Sequence, residues 1–276
     1  MEEHVSWLTN FVNHYLGGVA VALLHALHIQ PSHPDLPIPE YVVMSMVVFL
    51  IGALGSLWLK PRLSVDNPGG AQQIAEMLFT NPLGFGIRDL LIENAHDKKG
   101  KYTAMVGSVA VFILLANLLS VFPLFSAPTA EKSVPLGCAI VIFLYFNFHG
   151  FRHHGVGHYL LTFAGSPKNF GDGLLGILLF PVEIISTCAR MLSLTVRLWA
   201  NIFASDLLYV IFLGLLVGPS VWGWEKNPAL GVFLGIFPAV IPVAFIGLHI
   251  FVAIIQTYVF TLLPSIYIGI ATADEH

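Results

Sequence analysis

Apolar residues fall along this chain in long unbroken stretches instead of alternating with polar ones. The clearest stretches cover residues 41–59, 102–125, 134–151, 174–218 and 230–271. A helix needs about 20 predominantly apolar residues to cross a hydrocarbon layer of roughly 30 Å. The pattern therefore predicts an all-α integral membrane protein with five membrane helices. Residues 5–29 are apolar too, but they carry Asn10, Asn13, His14, Gly17, Gly18, His25 and His28. That mixture favours an interfacial or re-entrant helix; counting it as a span makes six. Pro31, Pro34, Pro37 and Pro39 follow and predict an extended linker that cannot continue a helix. The chain so divides into residues 1–40, an extracytoplasmic or interfacial segment, and residues 41–276, a single membrane-embedded domain. No internal repeat is visible, which argues against a transporter built from duplicated halves.

The last two stretches are unusually long. Neither Pro nor Gly occurs from residue 182 to 213, so with its flanks this element reads as about 45 residues, or roughly 65 Å of helix. That is about twice the hydrocarbon thickness, and a helix so long must tilt strongly along a partner of similar length. Residues 230–271 are that partner. Residues 219–229 include Pro219, Gly223, Asn227 and Pro228, the composition of a turn. Residues 174–271 are accordingly expected to form a long, strongly tilted helical hairpin, its second arm kinked at Pro238 and Pro242.

Composition agrees with lipid as the solvent. Of 276 residues 56% are hydrophobic and 10% charged, against about 25% charged in a soluble domain. The formal net charge of -4 gives neither a basic surface for nucleic acid nor an acidic tail. Cys138 and Cys188 both sit in apolar runs and read as packing residues. Met1, Glu2, Glu3 and His4 lack the basic start of a cleavable signal, so the sequence reads as mature. Taking 41–59 as the first span, one side of the membrane receives Lys60, Arg62, Arg88, Lys98, Lys99, Lys101, Arg152 and Lys168, and the other only Lys132 and Lys226. The rich side is then cytoplasmic, with the N-terminus outside and Asp274, Glu275 and His276 inside. Trp58, Trp222 and Trp224 suit the two interfaces.

Against this background the ionisable residues of the hairpin stand out. Glu183, Arg190, Arg197 and Asp206 lie on its first arm, and His249 and the polar Gln256 on its second. A charge near the bilayer centre costs roughly 2.5 kcal/mol or more and by default marks an ion pathway. Glu183, Arg190 and Arg197 recur every seven residues and share a helix face, with Ser186, Ser193 and Asn201 close by. Asp206 lies nine residues beyond Arg197 and falls on the opposite face. Two water-filled half-channels separated by a fixed positive charge would fit this order. Arginine suits that barrier because a pKa above about 12 keeps it protonated. A partner's carboxylate would be drawn to Arg197 ionised and would take a proton again on leaving.

Plainer readings exist for each residue. Arg190 could snorkel to headgroups, Arg197 could pair internally with Asp206, Gln256 and Asn201 could be interhelical hydrogen-bond glue, and His249 could be a packing histidine. His14 and His28 invite comparison with haem ligands, and His154 with His158 resemble a metal pair; Gly155 and Gly157 argue against a helix there, and no cofactor is expected. His149, His153, His154 and His158 are expected to face cytoplasmic water. No glycine-rich stretch ends in Lys and Ser or Thr, so nucleotide chemistry belongs elsewhere.

The run Leu192-Ser193-Leu194-Thr195-Val196-Arg197-Leu198-Trp199-Ala200-Asn201 resembles the signature of the a subunit of F-type ATP synthases. The likeness extends to Glu183 and Asp206, to His249 and Gln256, to the ending Ile270-Ala271-Thr272-Ala273-Asp274-Glu275-His276, and to Asn117-Leu118-Leu119 before Phe122-Pro123. It covers the chain from about residue 40. Met191 stands where many members have proline, and Asp206 where glutamate or histidine often occurs. The resemblance implies a non-catalytic stator subunit of a rotary ATP synthase in a bacterial inner membrane, beside a ring of c subunits and b-type peripheral stalk subunits. It implies that Arg197 is the essential charge for protons, or sodium ions in their place. Asp206 and His249 would line the outer half-channel, Glu183 the cytoplasmic one, and Asn201 and Gln256 would be polar supports. The alternative is a freestanding proton-coupled transporter or channel.

Overall fold

A computed structural model describes residues 6–26, 28, 36–122, 125–163 and 170–273. Pro31, Pro34, Pro123, Lys168, Asp274, Glu275 and His276 lie outside the described residues, as do the side chains of Pro238 and Pro242. The chain forms helices α1 (Trp7–Ala26), α2 (Glu40–Leu59), α3 (Gly70–Phe79), α4 (Ile87–Ala95), α5 (Thr103–Leu119), α6 (Ser133–His154), α7 (Val156–Phe163), α8 (Phe170–Lys226) and α9 (Pro228–Thr272), with no strand among the described residues. Four segments are long and apolar enough to cross a membrane: Glu40–Arg62, Ser133–His154, Gly176–Lys226 and Val243–Thr272. The apolar α5 adds a fifth, shorter helix. This is an all-α integral membrane protein.

The turn expected over residues 219–229 is confined to Asn227. Helix α8 continues through Pro219 and Gly223 to Lys226 and reaches 57 residues, a contour of roughly 85 Å. Proline costs a helix one N–H and a tight contact, and a helix surrounded by lipid has no water to satisfy the groups that a full break would free. The chain breaks only at Asn227. The residue before a proline is pushed out of the helical region, and Pro228 suits the first position of a new helix because its missing N–H would be unpaired there anyway. Asn227 serves both ends: its N–H donates to the Gly223 carbonyl at 2.9 Å, and its own carbonyl accepts from Gly231 at 3.0 Å. Gly231 is packed so closely on the Trp224 backbone that a Cβ would lie 2.8 Å from the Trp224 Cα. Three further helices were not legible as spans because they are short: α3, α4 and α7 have 10, 9 and 8 residues.

The chain divides into two compact units. The first comprises Met1–Gly55, Leu114–Val134 and Ala200–Ile254. Within it α1 is tied to the linker by Asn13, whose amide donates to the Ile38 carbonyl at 3.0 Å while its oxygen accepts from the Ile38 N–H at 2.9 Å. Val43, Met44, Val48, Ile202 and Ala253 are fully buried. Residue pairs show that α8 and α9 run antiparallel here: Ser205 meets His249, and seven residues further along α8 the Phe212 ring stacks on Phe245 at 4.5 Å. Lys226 sits 4.3 Å over the Trp222 ring, a cation–π pairing suited to an interfacial tryptophan.

The second unit comprises Ser56–Ile113, Pro135–Trp199 and Ile255–His276. Asp97 caps α5, accepting from the N–H groups of Lys101 at 2.8 Å and Tyr102 at 2.7 Å, which satisfies helix-start donors that would otherwise be orphaned. Asp89 of α4 accepts from the Asn81 N–H at 2.7 Å and holds the α3–α4 connection. Helix α9 approaches α4 so closely at Gly269 that a Cβ would collide with the Asn94 carbonyl oxygen. Gly155, at φ +77°, separates α6 from α7, and the Tyr159 ring packs where a Cβ of Gly150 would stand. Arg62 lies 3.9 Å over the Trp58 ring.

Candidate functional site

His249 is the centre of a polar cluster inside the first unit. It comes from α9 and is buried; α8 contributes Ser205 and Asp206, and the end of α5 contributes Asn117 and Ser120. The way α5 terminates supplies one of the partners. Its last turn tightens, with Val121 N–H bonding to Leu118 O at 3.2 Å and Phe122 N–H to Leu119 O at 3.1 Å. The Asn117 carbonyl is thereby released from the regular ladder and becomes one of the helix-end acceptors that need another donor. It accepts from Ser120 Oγ at 3.1 Å and from His249 Nε2 at 3.1 Å. Ser120 Oγ is itself 2.8 Å from Nε2.

The hydrogen positions follow from the chemistry of these groups. A carbonyl only accepts, so Nε2 carries a hydrogen, and in the neutral ring Nδ1 is then the free lone pair. The Ser205 hydroxyl is 2.6 Å from Nδ1 and donates to it. Asp206 Oδ1 lies 4.0 Å from the same nitrogen, its side chain 41% exposed, which is ion-pair range but too far for a hydrogen bond. Behind the histidine, Thr129 donates to Asn117 Oδ1 at 2.6 Å. Ser120, Val121, Ser205, Asp206, Phe245, Ile246 and His249 line a cavity of about 70 Å³, large enough for water.

A second polar cavity, of about 350 Å³, lies wholly in the second unit and is lined by Glu183, Thr187, Arg190, His154, Tyr159 and Tyr267 among others. Glu183 and Arg190 do share a face of α8, their side chains paired at 3.3 Å and each about half buried. The Arg190 guanidinium lies 5.7 Å from the centre of the Tyr267 ring. Arg190 thus points into this cavity beside Glu183 instead of reaching away to headgroups. Burial pushes the Tyr159 pKa above the usual tyrosine value, so its hydroxyl remains a neutral donor, 3.3 Å from Asn147 Oδ1.

Arg197 is different from all of these. It is exposed, and among the described residues its guanidinium has no hydrogen bond and no ion pair. Thr187, Leu194 and Leu198 face inward, Val182, Ile185, Leu192 and Val196, each at least half exposed, form the opposite, uncovered side, and Arg197 stands at the margin between the two, in line with Glu183 and Arg190. A lone cation on an apolar face is costly in lipid unless a counter-charge or water meets it from outside the chain.

The remaining candidates are dispersed. Asn201, in the first unit, is exposed. Gln256, in the second, is buried, and its Oε1 has no hydrogen-bond partner. The histidines expected to face water divide: His153 and His158 are exposed, but His149 is packed edge-on between the rings of Tyr102 and Tyr145, 5.0 and 4.6 Å away. The reason is the aromatic spacing on α6, which puts Tyr145 one turn before it. His154 and His158 fall on separate helices, and among the described residues no group of three or more His, Cys, Asp or Glu could hold a metal ion. Sequence reasoning missed Ser120, Ser205, Thr129 and Tyr267 as members of these clusters. Only the proximity of Ser205 to Asp206 in sequence could have drawn notice.

The family described as ATP synthase A chain matches residues 41–269. An ATP synthase subunit a from Koribacter versatilis (strain Ellin345) is 38% identical over 99% of this chain and 99% of its own length. One from Solibacter usitatus (strain Ellin6076) is 37% identical over 96% of this chain and 99% of its own, and one from Aquifex aeolicus (strain VF5) is 33% identical over 68% and 79%.

Proposed function

The chain belongs to the ATP synthase A chain family, and from that membership and its geometry we propose that it is the non-catalytic stator subunit that carries protons past a rotating ring of c subunits. The observation that carries this reading is Arg197: an exposed guanidinium at the margin of the uncovered side of α8, with no hydrogen bond or ion pair among the described residues. A site of that kind is incomplete without an outside carboxylate. A ring whose subunits each present one carboxylate supplies it repeatedly.

In this mechanism the arginine stays protonated throughout. Each arriving carboxylate gives up its proton into one half-channel, is held as an anion by the guanidinium fork, and regains a proton from the other half-channel after it has passed. The cluster of His249, Ser205 and Asp206 is the outer half-channel, and the cavity around Glu183 and Arg190 is the cytoplasmic one. Asn201 and Gln256 support the path as polar neighbours, and the free Gln256 Oε1 supplies an acceptor. Residues 41–276 act as one translocating domain in a bacterial inner membrane, N-terminus outside and C-terminus cytoplasmic, with b-type peripheral stalk subunits holding the stator. Protons are the transported ion, and sodium is the alternative.

Reconstitution into liposomes separates this role from that of a freestanding transporter. The purified chain alone should leave an imposed proton gradient intact, and addition of the ring and stalk should open an ion path. Gradient-dissipating transport by the chain alone, dependent on Arg197, would establish the transporter instead.

A further inference from the structure

We propose that Ser205 is the proton relay onto His249 Nδ1, an inference that rests on the outer half-channel reading above. Three observations carry it. The Asn117 carbonyl keeps a hydrogen on Nε2 in either charge state of the ring, so Nδ1 is the only ring position that gains and loses a proton. The Ser205 hydroxyl already occupies the Nδ1 lone pair at 2.6 Å. Asp206, the ionisable group in ion-pair range of the ring among the described residues, is 4.0 Å from Nδ1, too far to pass a proton directly.

A hydroxyl can accept and donate at once, and Ser205 lines the same water-sized cavity as Asp206 and His249. Transfer inward therefore runs in one concerted step. The Ser205 O–H bond breaks as its proton forms the Nδ1–H bond, and the oxygen simultaneously takes a proton from the Asp206 carboxyl group or from a hydronium ion in the cavity. The products are imidazolium, an unchanged serine and the conjugate base of the donor, either the Asp206 carboxylate or a neutral water. The reverse step follows the same atoms. No proton is lost and no further reactant is needed. Because Ser120 and Asn117 grip the opposite edge of the ring, the imidazole need not rotate between uptake and release.

The test uses the complete ATP synthase in membrane vesicles, measuring ATP-driven acidification and, after removal of the peripheral ATPase, passive proton flux in H2O and D2O. Ser205→Ala should lower both rates roughly tenfold or more, short of the ~100-fold or greater cost of losing an acid–base group itself because cavity water partly replaces the hydroxyl, while assembly with the ring remains normal. Ser205→Thr, which keeps the hydroxyl, should retain most of the flux. Ser205→Gly is the second hydroxyl-free variant should alanine hinder assembly. The solvent isotope effect should grow in the hydroxyl-free variants, as proton delivery becomes limiting; a packing defect would not change it. His249→Ala separates the two readings. Normal pumping in His249→Ala removes the outer half-channel itself. A slow His249→Ala with Ser205→Ala at wild-type rates, or equal losses in Ser205→Ala and Ser205→Thr, overturns the relay alone.

Discussion

At the residue scale, the polar groups fall into two clusters with different demands. Asp206 and His249 share a small cavity with serines on both sides and are successive steps of one proton path. Removing both at once, in Asp206→Asn with His249→Gln, should therefore slow ATP-driven pumping by about 100-fold, within the range for lost acid–base groups, with the complex still assembled on blots. Pumping at wild-type rate in the double variant excludes the pair from the pathway. Arg190 is expected to matter less. Its bond to Glu183 is half exposed, and such pairs are worth roughly 1 kcal/mol or less, so Arg190→Ala should slow transport only a few-fold, whereas Glu183→Leu should slow it more. Equal effects would mean that Arg190 carries protons or anions itself. The sequence announced the charged members of both clusters because charge in an apolar run is conspicuous. Ser120, Ser205 and Thr129 carried no such signal, since hydroxyls in membrane helices ordinarily bond their own backbone, as Thr187 does to the Glu183 carbonyl at 2.8 Å.

Elements were legible in proportion to their length and hydrophobicity. The apolar runs located α2, α6 and α9 to within a few residues, and α8 to within eight at its far end, because lipid leaves an apolar stretch little choice but a helix. Proline and glycine misled where the same constraint held a helix together, as at Pro219 and Gly223 in α8. The polar stretch carrying α3 and α4 was opaque, since helices of ten residues or fewer depend on contacts that distant residues supply. Gly269 provides one of those contacts, letting α9 lie against the Asn94 carbonyl of α4. Gly269→Ala should lower the melting temperature of the purified protein, at a cost of about 1–3 kcal/mol as for other overpacked sites. Gly55→Ala in α2, where a Cβ meets nothing within 4 Å, should be neutral or raise it, because alanine is the better helix former. Equal melting temperatures for the two variants would contradict the close α4–α9 approach.

At the scale of the whole molecule, two claims remain open to measurement: the orientation in the membrane and the coupling of ion flow to a partner. Orientation rests on the excess of lysine and arginine on one side. After Cys138 and the exposed Cys188 are replaced, a single cysteine at position 98 should react with an impermeant thiol reagent only from the cytoplasmic side, and one at position 226 only from outside. Reaction of both from one side would require a different set of spans. Coupling rests on Arg197, and here charge and shape make separate predictions. If positive charge alone mattered, Arg197→Lys would preserve pumping. A lysine ammonium in a partly dehydrated site can lose its proton, and it lacks the planar fork that holds a carboxylate, so Arg197→Lys should fail to pump at a useful rate. Arg197→Ala should abolish coupled transport altogether and leave a passive proton leak through the assembled complex. The decisive measurement is ATP-driven acidification together with passive proton flux in vesicles that carry the assembled Arg197→Ala complex. The account predicts no acidification and increased passive flux, and normal coupled pumping by that complex would contradict it.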